Sequence, residues 1–138
     1  MEVTNKVYPN EAQIKGFLEP GAEGSICMVN LLKFRKNAEY EDGRETSLTG
    51  FEAYQLYEGA IKEILQRVGG CIGFEGGVER LALGEVEELW DMVALAVWPS
   101  RRVMLEVMQS QEMQDISVHR TAGLAGQLNI ETTGFKGQ

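Results

Sequence analysis

An α+β fold is predicted by three features of this 138-residue sequence. Helix-like and strand-like patterns alternate along it, glycines punctuate the boundaries, and one strand-like segment is apolar at almost every position. The length lies within the about 100–200 residues of an ordinary domain, so a single domain is expected over residues 1–138. With 43% apolar and 25% charged residues the composition is that of a chain able to build a core.

The elements follow in order. Asn10 is placed as the N-cap of a short helix carrying Ile14, Phe17 and Leu18, which Pro20-Gly21 stops. Ser25 to Arg35 reads as a central strand covered on both faces, with Asn30 as its one conspicuous interruption. The polar stretch from Lys36 to Thr49, with the turn dipeptide Asp42-Gly43, is expected to be an exposed loop or small hairpin. After Gly50, the residues Phe51, Tyr54, Tyr57, Ile61, Ile64, Leu65 and Val68 recur at helical steps, predicting an amphipathic helix that ends at Gly69-Gly70.

Cys71 to Leu83 contains Gly73, Gly76 and Gly77 and predicts a bent or bulged strand. Gly84-Glu85-Val86-Glu87 would connect it to a strand from Leu89 to Trp98, broken only by Asp91. Alternation puts Leu89, Val93, Leu95 and Val97 on one side of that strand, and Trp90, Met92, Ala94, Ala96 and Trp98 on the other. Pro99 ends the strand and Ser100 caps a helix with Val103, Met104, Val107 and Met108, followed by helical residues through Met113, Ile116 and His119-Arg120. Gln127 to Thr133 closes the chain as a short strand. The resulting order is a ferredoxin-like βαββαβ subunit with an extra N-terminal helix. Its helices cover one sheet face and leave the other apolar, and a second subunit is the economical way to bury it.

Charge and motifs narrow the function classes. A net charge of −8 repels phosphate backbones and anionic lipid, so no nucleic-acid or membrane partner is expected. The longest apolar run, Met92 to Trp98, is far short of the about 20 residues of a membrane span. The N-terminus lacks a secretory pattern, which points to a cytoplasmic protein. Cys27 and Cys71 have no metal-ligand spacing and are read as reduced, buried thiols. Without a phosphate-cradling glycine motif, a nucleophile elbow or a zinc signature, no cofactor and no metal are expected.

Several short motifs recur in one known group of proteins. They are Met28-Val29-Asn30-Leu31-Leu32-Lys33-Phe34-Arg35, Ala38-Glu39-Tyr40 with Asp42-Gly43, and Gly50 with Glu52-Ala53-Tyr54 and Tyr57. Val68-Gly69-Gly70, Glu88-Leu89-Trp90-Asp91, Trp98-Pro99-Ser100-Arg101, Met108 and His119-Arg120 continue the series. Over nearly its whole length the chain thus resembles the dimeric α/β-barrel superfamily, and within it a family known only as a domain of unknown function. Two positions depart from that pattern: Trp98 stands where tyrosine is common before Pro-Ser, and Met113 replaces an aromatic. The resemblance implies a homodimer whose sheets pack face to face into an eight-stranded barrel, with a pocket between sheet and helices in each subunit. Enzymes of the superfamily include cofactor-free monooxygenases and lactone isomerases, so the fold supplies a range of chemistries and no choice among them.

Candidate catalytic residues are Asn30, Asp91 and His119. An amide in mid-strand must find partners or cost about 1–3 kcal/mol, so Asn30 either steadies a developing anion or bonds to neighbouring backbone. Asp91 is either a general base with a raised pKa or the structural partner of an arginine. His119, the sole histidine, offers a near-neutral base or is simply a partly exposed helix residue. Candidate substrate-binding residues are Tyr54 and Tyr57, three apart on one helix face, Trp90, and Arg120. Arg120 either grips a ligand carboxylate or pairs with Asp91 or Glu88. Two functions remain open on this reading: a cofactor-independent enzyme acting on a small aromatic or enolisable molecule, or a non-catalytic small-molecule-binding or interaction module.

Overall fold

The computed structural model describes residues 2–21 and 23–134. Four strands, β1 (Ile26–Phe34), β2 (Cys71–Gly77), β3 (Met92–Trp98) and β4 (Leu124–Thr132), form one antiparallel sheet in the order β2-β3-β1-β4. Helices α1 (Glu11–Leu18), α2 (Gly50–Arg67), α3 (Arg101–Met108) and α4 (Gln111–Gly123) complete the chain. Removing α1 leaves the split βαβ order predicted from sequence, with one difference: Ser110 starts a new helix and divides the second helical segment into α3 and α4.

Each helix begins where a side chain satisfies its orphan N–H groups. Asn10 with Gln13, and Thr49 with Glu52, form reciprocal capping boxes, while Ser100 and Ser110 accept from the N–H of Val103 and Met113. Helix α2 stops at Gly69, whose φ of +91° lets the chain turn sharply into β2.

The core lies between one sheet face and the helices. Ile26, Met28 and Leu32 of β1 and Met92, Ala94 and Trp98 of β3 pack there against Tyr54, Tyr57, Ile61, Ile64 and Leu65 of α2. Ile26 and Trp98 are cross-strand partners at 1% and 2% exposure, closing one end of this layer. On the opposite face the register aligns apolar residues across all four strands. Phe74, Leu95, Val29 and Ile130 stand in one row, and Gly76, Val93, Leu31 and Leu128 in the next. At the edges of that first row Phe74 is 58% and Ile130 48% exposed, so no element of the described chain covers it.

Four sequence expectations need correction. Strand β3 starts at Met92, so Leu89, Trp90 and Asp91 belong to the preceding loop, and Trp90 does not share a strand face with Trp98. Strand β2 ends at Gly77, and residues 78–91 form a longer connection than the Gly84 turn alone would need, with Leu83 89% exposed. The bulge itself is where the glycines suggested, between Ile72 and Phe74. Residues 36–49 are not a wholly exposed loop: Ala38 and Tyr40 are buried against Ala53 and Ala122, and Ala38 N–H donates to the Leu48 carbonyl. Finally, the cysteines are free, but Cys71 is exposed and Cys27 only half-buried. Among the described residues no helix is long and apolar enough to cross a membrane.

Candidate functional site

A cleft of about 480 Å³ lies between the N-terminal half of α2 and the β2 edge of the sheet. Phe34, Phe51 and Met92 give it apolar walls, and Gln55, Glu58, Glu75 and Asp91 supply polar groups. Phe51, Gln55, Glu58 and Lys62 are spaced four, three and four apart, so helix geometry sets them in one stripe along α2 beside β2. Glu75 is paired with Ala94 in the sheet, on the face that the helices cover.

Lys62 Nζ lies 2.9 Å from a carboxylate oxygen of Glu58 and 2.9 Å from one of Glu75, which brings the two carboxyl groups side by side. Burial pushes the Glu58 carboxyl above the usual carboxylate range, and the neighbouring Glu75 adds to that, with Lys62 opposing. Glu75 is held below that range by Glu58 and Lys62 beside it. Neighbouring carboxyl groups displaced in opposite directions titrate as a pair and share one proton over a widened pH range.

Of the residues singled out in the sequence, Asp91 lies on the wall of this cleft. It ends the loop before β3 and accepts from the Phe34 N–H at 2.9 Å and from Lys33 at 3.4 Å. Lys33 also meets Glu88 at 2.9 Å, so Asp91 and Glu88 pair with a lysine and not, as expected, with Arg120. Asn30 is on the helix-covered face of the sheet. Its amide donates to the Met28 and Ala94 carbonyls at 3.2 Å each, and its oxygen accepts from Gln127 at 2.7 Å. Arg120 joins the same network, donating to Gln127 Oε1 at 2.8 Å and to the Val7 carbonyl at 2.6 Å.

Tyr54 and Tyr57 are buried beneath α2, their rings 5.6 Å apart, and Tyr54 also packs against Phe34 at 5.3 Å. Burial raises both phenols, so they remain protonated throughout the neutral range. Trp90 donates to Asn5 Oδ1 at 2.6 Å, away from the cleft walls.

His119 stands apart with Tyr40, whose hydroxyl is 2.7 Å from Nδ1. Desolvation, and secondarily the Arg44 guanidinium stacked 4.5 Å over Tyr40, lower its pKa from the ordinary 6.5. The unfolded chain then binds a proton that the folded one does not, so this group's stabilisation is lost as pH falls through 6.5. An NMR titration of the single histidine should give a midpoint below 6.5; a midpoint above it would contradict this environment.

The sequence-predicted residues thus divide among five places: Asp91 at the cleft, Asn30 with Arg120, His119 with Tyr40, Tyr54 with Tyr57 in the core, and Trp90 with Asn5. Glu58 and Glu75 were missed, although each left a trace. Glu58 completes the stripe of residues 51, 55 and 62, and Glu75 is the lone charge in the strand Cys-Ile-Gly-Phe-Glu-Gly-Gly.

No protein-family model and no curated protein matches the chain. Among solved structures, the methylated RPA0582 protein superposes with a TM-score of 0.86 and is 31% identical over 98% of both chains. A second structure of RPA0582, a protein of unknown function from Rhodopseudomonas palustris, gives 0.85 and 28% identity over 96% of this chain and 99% of that one. A dimeric protein of unknown function with a ferredoxin-like fold, from Bacteroides fragilis, matches at 0.50 and 10% identity over 78% of this chain and 94% of its own, a likeness of fold alone. At 31% identity across nearly all of both chains, this protein belongs to the same family as RPA0582 of Rhodopseudomonas palustris.

Proposed function

We propose that the protein is a homodimeric α/β barrel, closed by its open sheet faces, in which the α2 cleft performs cofactor-independent proton transfer on a small aromatic or enolisable molecule. One observation carries the catalytic part: Glu58 and Glu75, side by side but with opposite pKa displacements, open onto a cleft walled by Phe34, Phe51 and Met92. The Glu75 carboxylate would take a proton from a carbon next to a carbonyl while Glu58 gives its own to the carbonyl oxygen. The product is the enol, and the pair has exchanged protonation states with no net change in charge. Gln55 and Asp91, both on the cleft wall, would orient the polar end of the substrate. The two free thiols, Cys71 exposed and Cys27 half-buried, fit a reducing, cytoplasmic setting.

Deuterium exchange tests this directly. Small ketones and 1,3-dicarbonyls are incubated with the protein in D2O, and loss of their α-protons is followed by NMR. Acceleration by the wild type should fall about 100-fold in both Glu58→Gln and Glu75→Gln, the scale of a lost general acid or base. Exchange that both variants retain rejects the assignment. Compounds that raise the melting temperature without exchanging would favour the non-catalytic binding module instead.

A further inference from the structure

The segment ahead of α1 crosses one end of the sheet as a strap. Asn5 accepts from Trp90 at 2.6 Å, Lys6 N–H donates to the Gln127 carbonyl at 3.2 Å, and the Tyr8 hydroxyl donates to Glu41 at 2.6 Å. Between these fixings the Val7 carbonyl accepts from Arg120 Nη2. Residues 2–6 and 8–10 are exposed, and α1 beyond them has no buried residue. Val7 and Phe17 pack partly buried against the core, and otherwise a few polar contacts hold the segment, so the apolar anchorage to be broken on lifting the strap is small beside that of the core elements.

Arg120 is the unusual member of this contact. Arg35, Arg44, Arg67, Arg101 and Arg102 each meet a carboxylate, and Arg80, which has no ion pair among the described residues, is exposed to water. The partly buried Arg120 has only two neutral oxygens among the described residues, Gln127 Oε1 on Nη1 and the Val7 carbonyl on Nη2. A guanidinium binds an ionised acceptor roughly twice as strongly as a neutral one, and its two terminal nitrogens form a fork that fits a carboxylate. The Nη1 side is fixed, because Gln127 is itself tied to Asn30, and Asn30 to the Met28 and Ala94 carbonyls. The Nη2 side is occupied only by the strap.

We propose that Arg120 is a binding position for a small carboxylate and that the N-terminal strap is its built-in competitor, the Val7 carbonyl holding the place that the carboxylate takes when the strap lifts. The position is separate from the α2 cleft and does not rest on the chemistry proposed there. Apparent affinity is the intrinsic affinity scaled by the fraction of molecules with the strap open, so loosening the strap must tighten binding.

Benzoate is the probe, titrated calorimetrically at low ionic strength, with benzamide as its uncharged counterpart. Asn5→Ala combined with Tyr8→Phe removes two side-chain fixings and should bind benzoate about fivefold or more tightly than the wild type, with no gain for benzamide. Adding Arg120→Gln should abolish the gain. Because that change also removes the contact with Val7, Arg120→Lys serves as the second variant: it keeps the charge, loses the fork, and should lose most of the gain. Equal benzoate affinity with and without the strap fixings, including no measurable binding in either, overturns the proposal. So does a gain that survives both Arg120 substitutions.

Discussion

Val29→Asp should convert the protein from a species of about twice the 15.3 kDa chain mass to one of 15.3 kDa, as read by light scattering behind size exclusion. Val29 stands at the centre of the open sheet face, between Leu95 on β3 and Ile130 on β4. In a face-to-face barrel this position would be dry, and a symmetric interface carries every substitution twice. Two unpaired carboxylates would then lose their water, at several kcal/mol each, enough to dissociate an ordinary dimer at micromolar concentration. In the free subunit the same side chain reaches solvent, so the isolated fold should survive and keep its circular dichroism. A wild-type protein that runs at 15.3 kDa at micromolar concentration removes the barrel from the proposed function, whatever Val29→Asp does.

The open face was legible in the sequence because strand alternation is a local property. Val93, Leu95 and Val97 read as one side of β3, and the structure pairs them with Leu31, Val29 and Cys27 in the same row order. Two helix starts were legible for the same reason, since Asn10 and Ser100 each act on an N–H three residues ahead; Thr49 and Ser110 cap in the same way but were not read as caps. Strand ends were less so. Leu89 and Trp90 suit a strand by composition, but the ladder begins only at Met92, where the chain meets both β1 and β2.

The candidate site was harder to see because its parts come from positions far apart. Glu58 and Glu75 meet only because α2 returns the chain to the edge strand, so neither residue looks exceptional in its own segment. Asn30 was conspicuous as a polar residue in an apolar strand. Its partners, two main-chain carbonyls and Gln127 from 97 residues away, were invisible to any local reading. A polar break in a strand signals that the fold must answer it, and the answer can be structural.

Gly50→Ala and Gly59→Ala are the same chemical change in the same helix and should shift stability in opposite directions. A methyl group at Gly50 would sit 2.0 Å from the Arg35 carbonyl oxygen, with the Arg35 carbonyl carbon at 2.7 Å and its nitrogen at 2.8 Å. All three are main-chain atoms at the end of β1, so no side chain can rotate away and the start of α2 must move. That start is also pressed from the other side, since a methyl at Gly123 would meet the Gly50 carbonyl at 2.4 Å. Overpacking ordinarily costs about 1–3 kcal/mol, and main-chain obstruction puts Gly50→Ala at or above the upper end, a fall of roughly 10 °C or more in melting temperature for a domain of this size. Gly59 is exposed in the middle of α2 with nothing within 4 Å of the added methyl, so alanine there relieves only the entropy cost of glycine and should stabilise by about 0.4–1 kcal/mol. Thermal unfolding of the two variants beside the wild type decides it. If Gly50→Ala melts within about 2 °C of the wild type, α2 is not wedged against the end of β1 and the wall of the cleft that carries Phe51, Gln55 and Glu58 is free to shift.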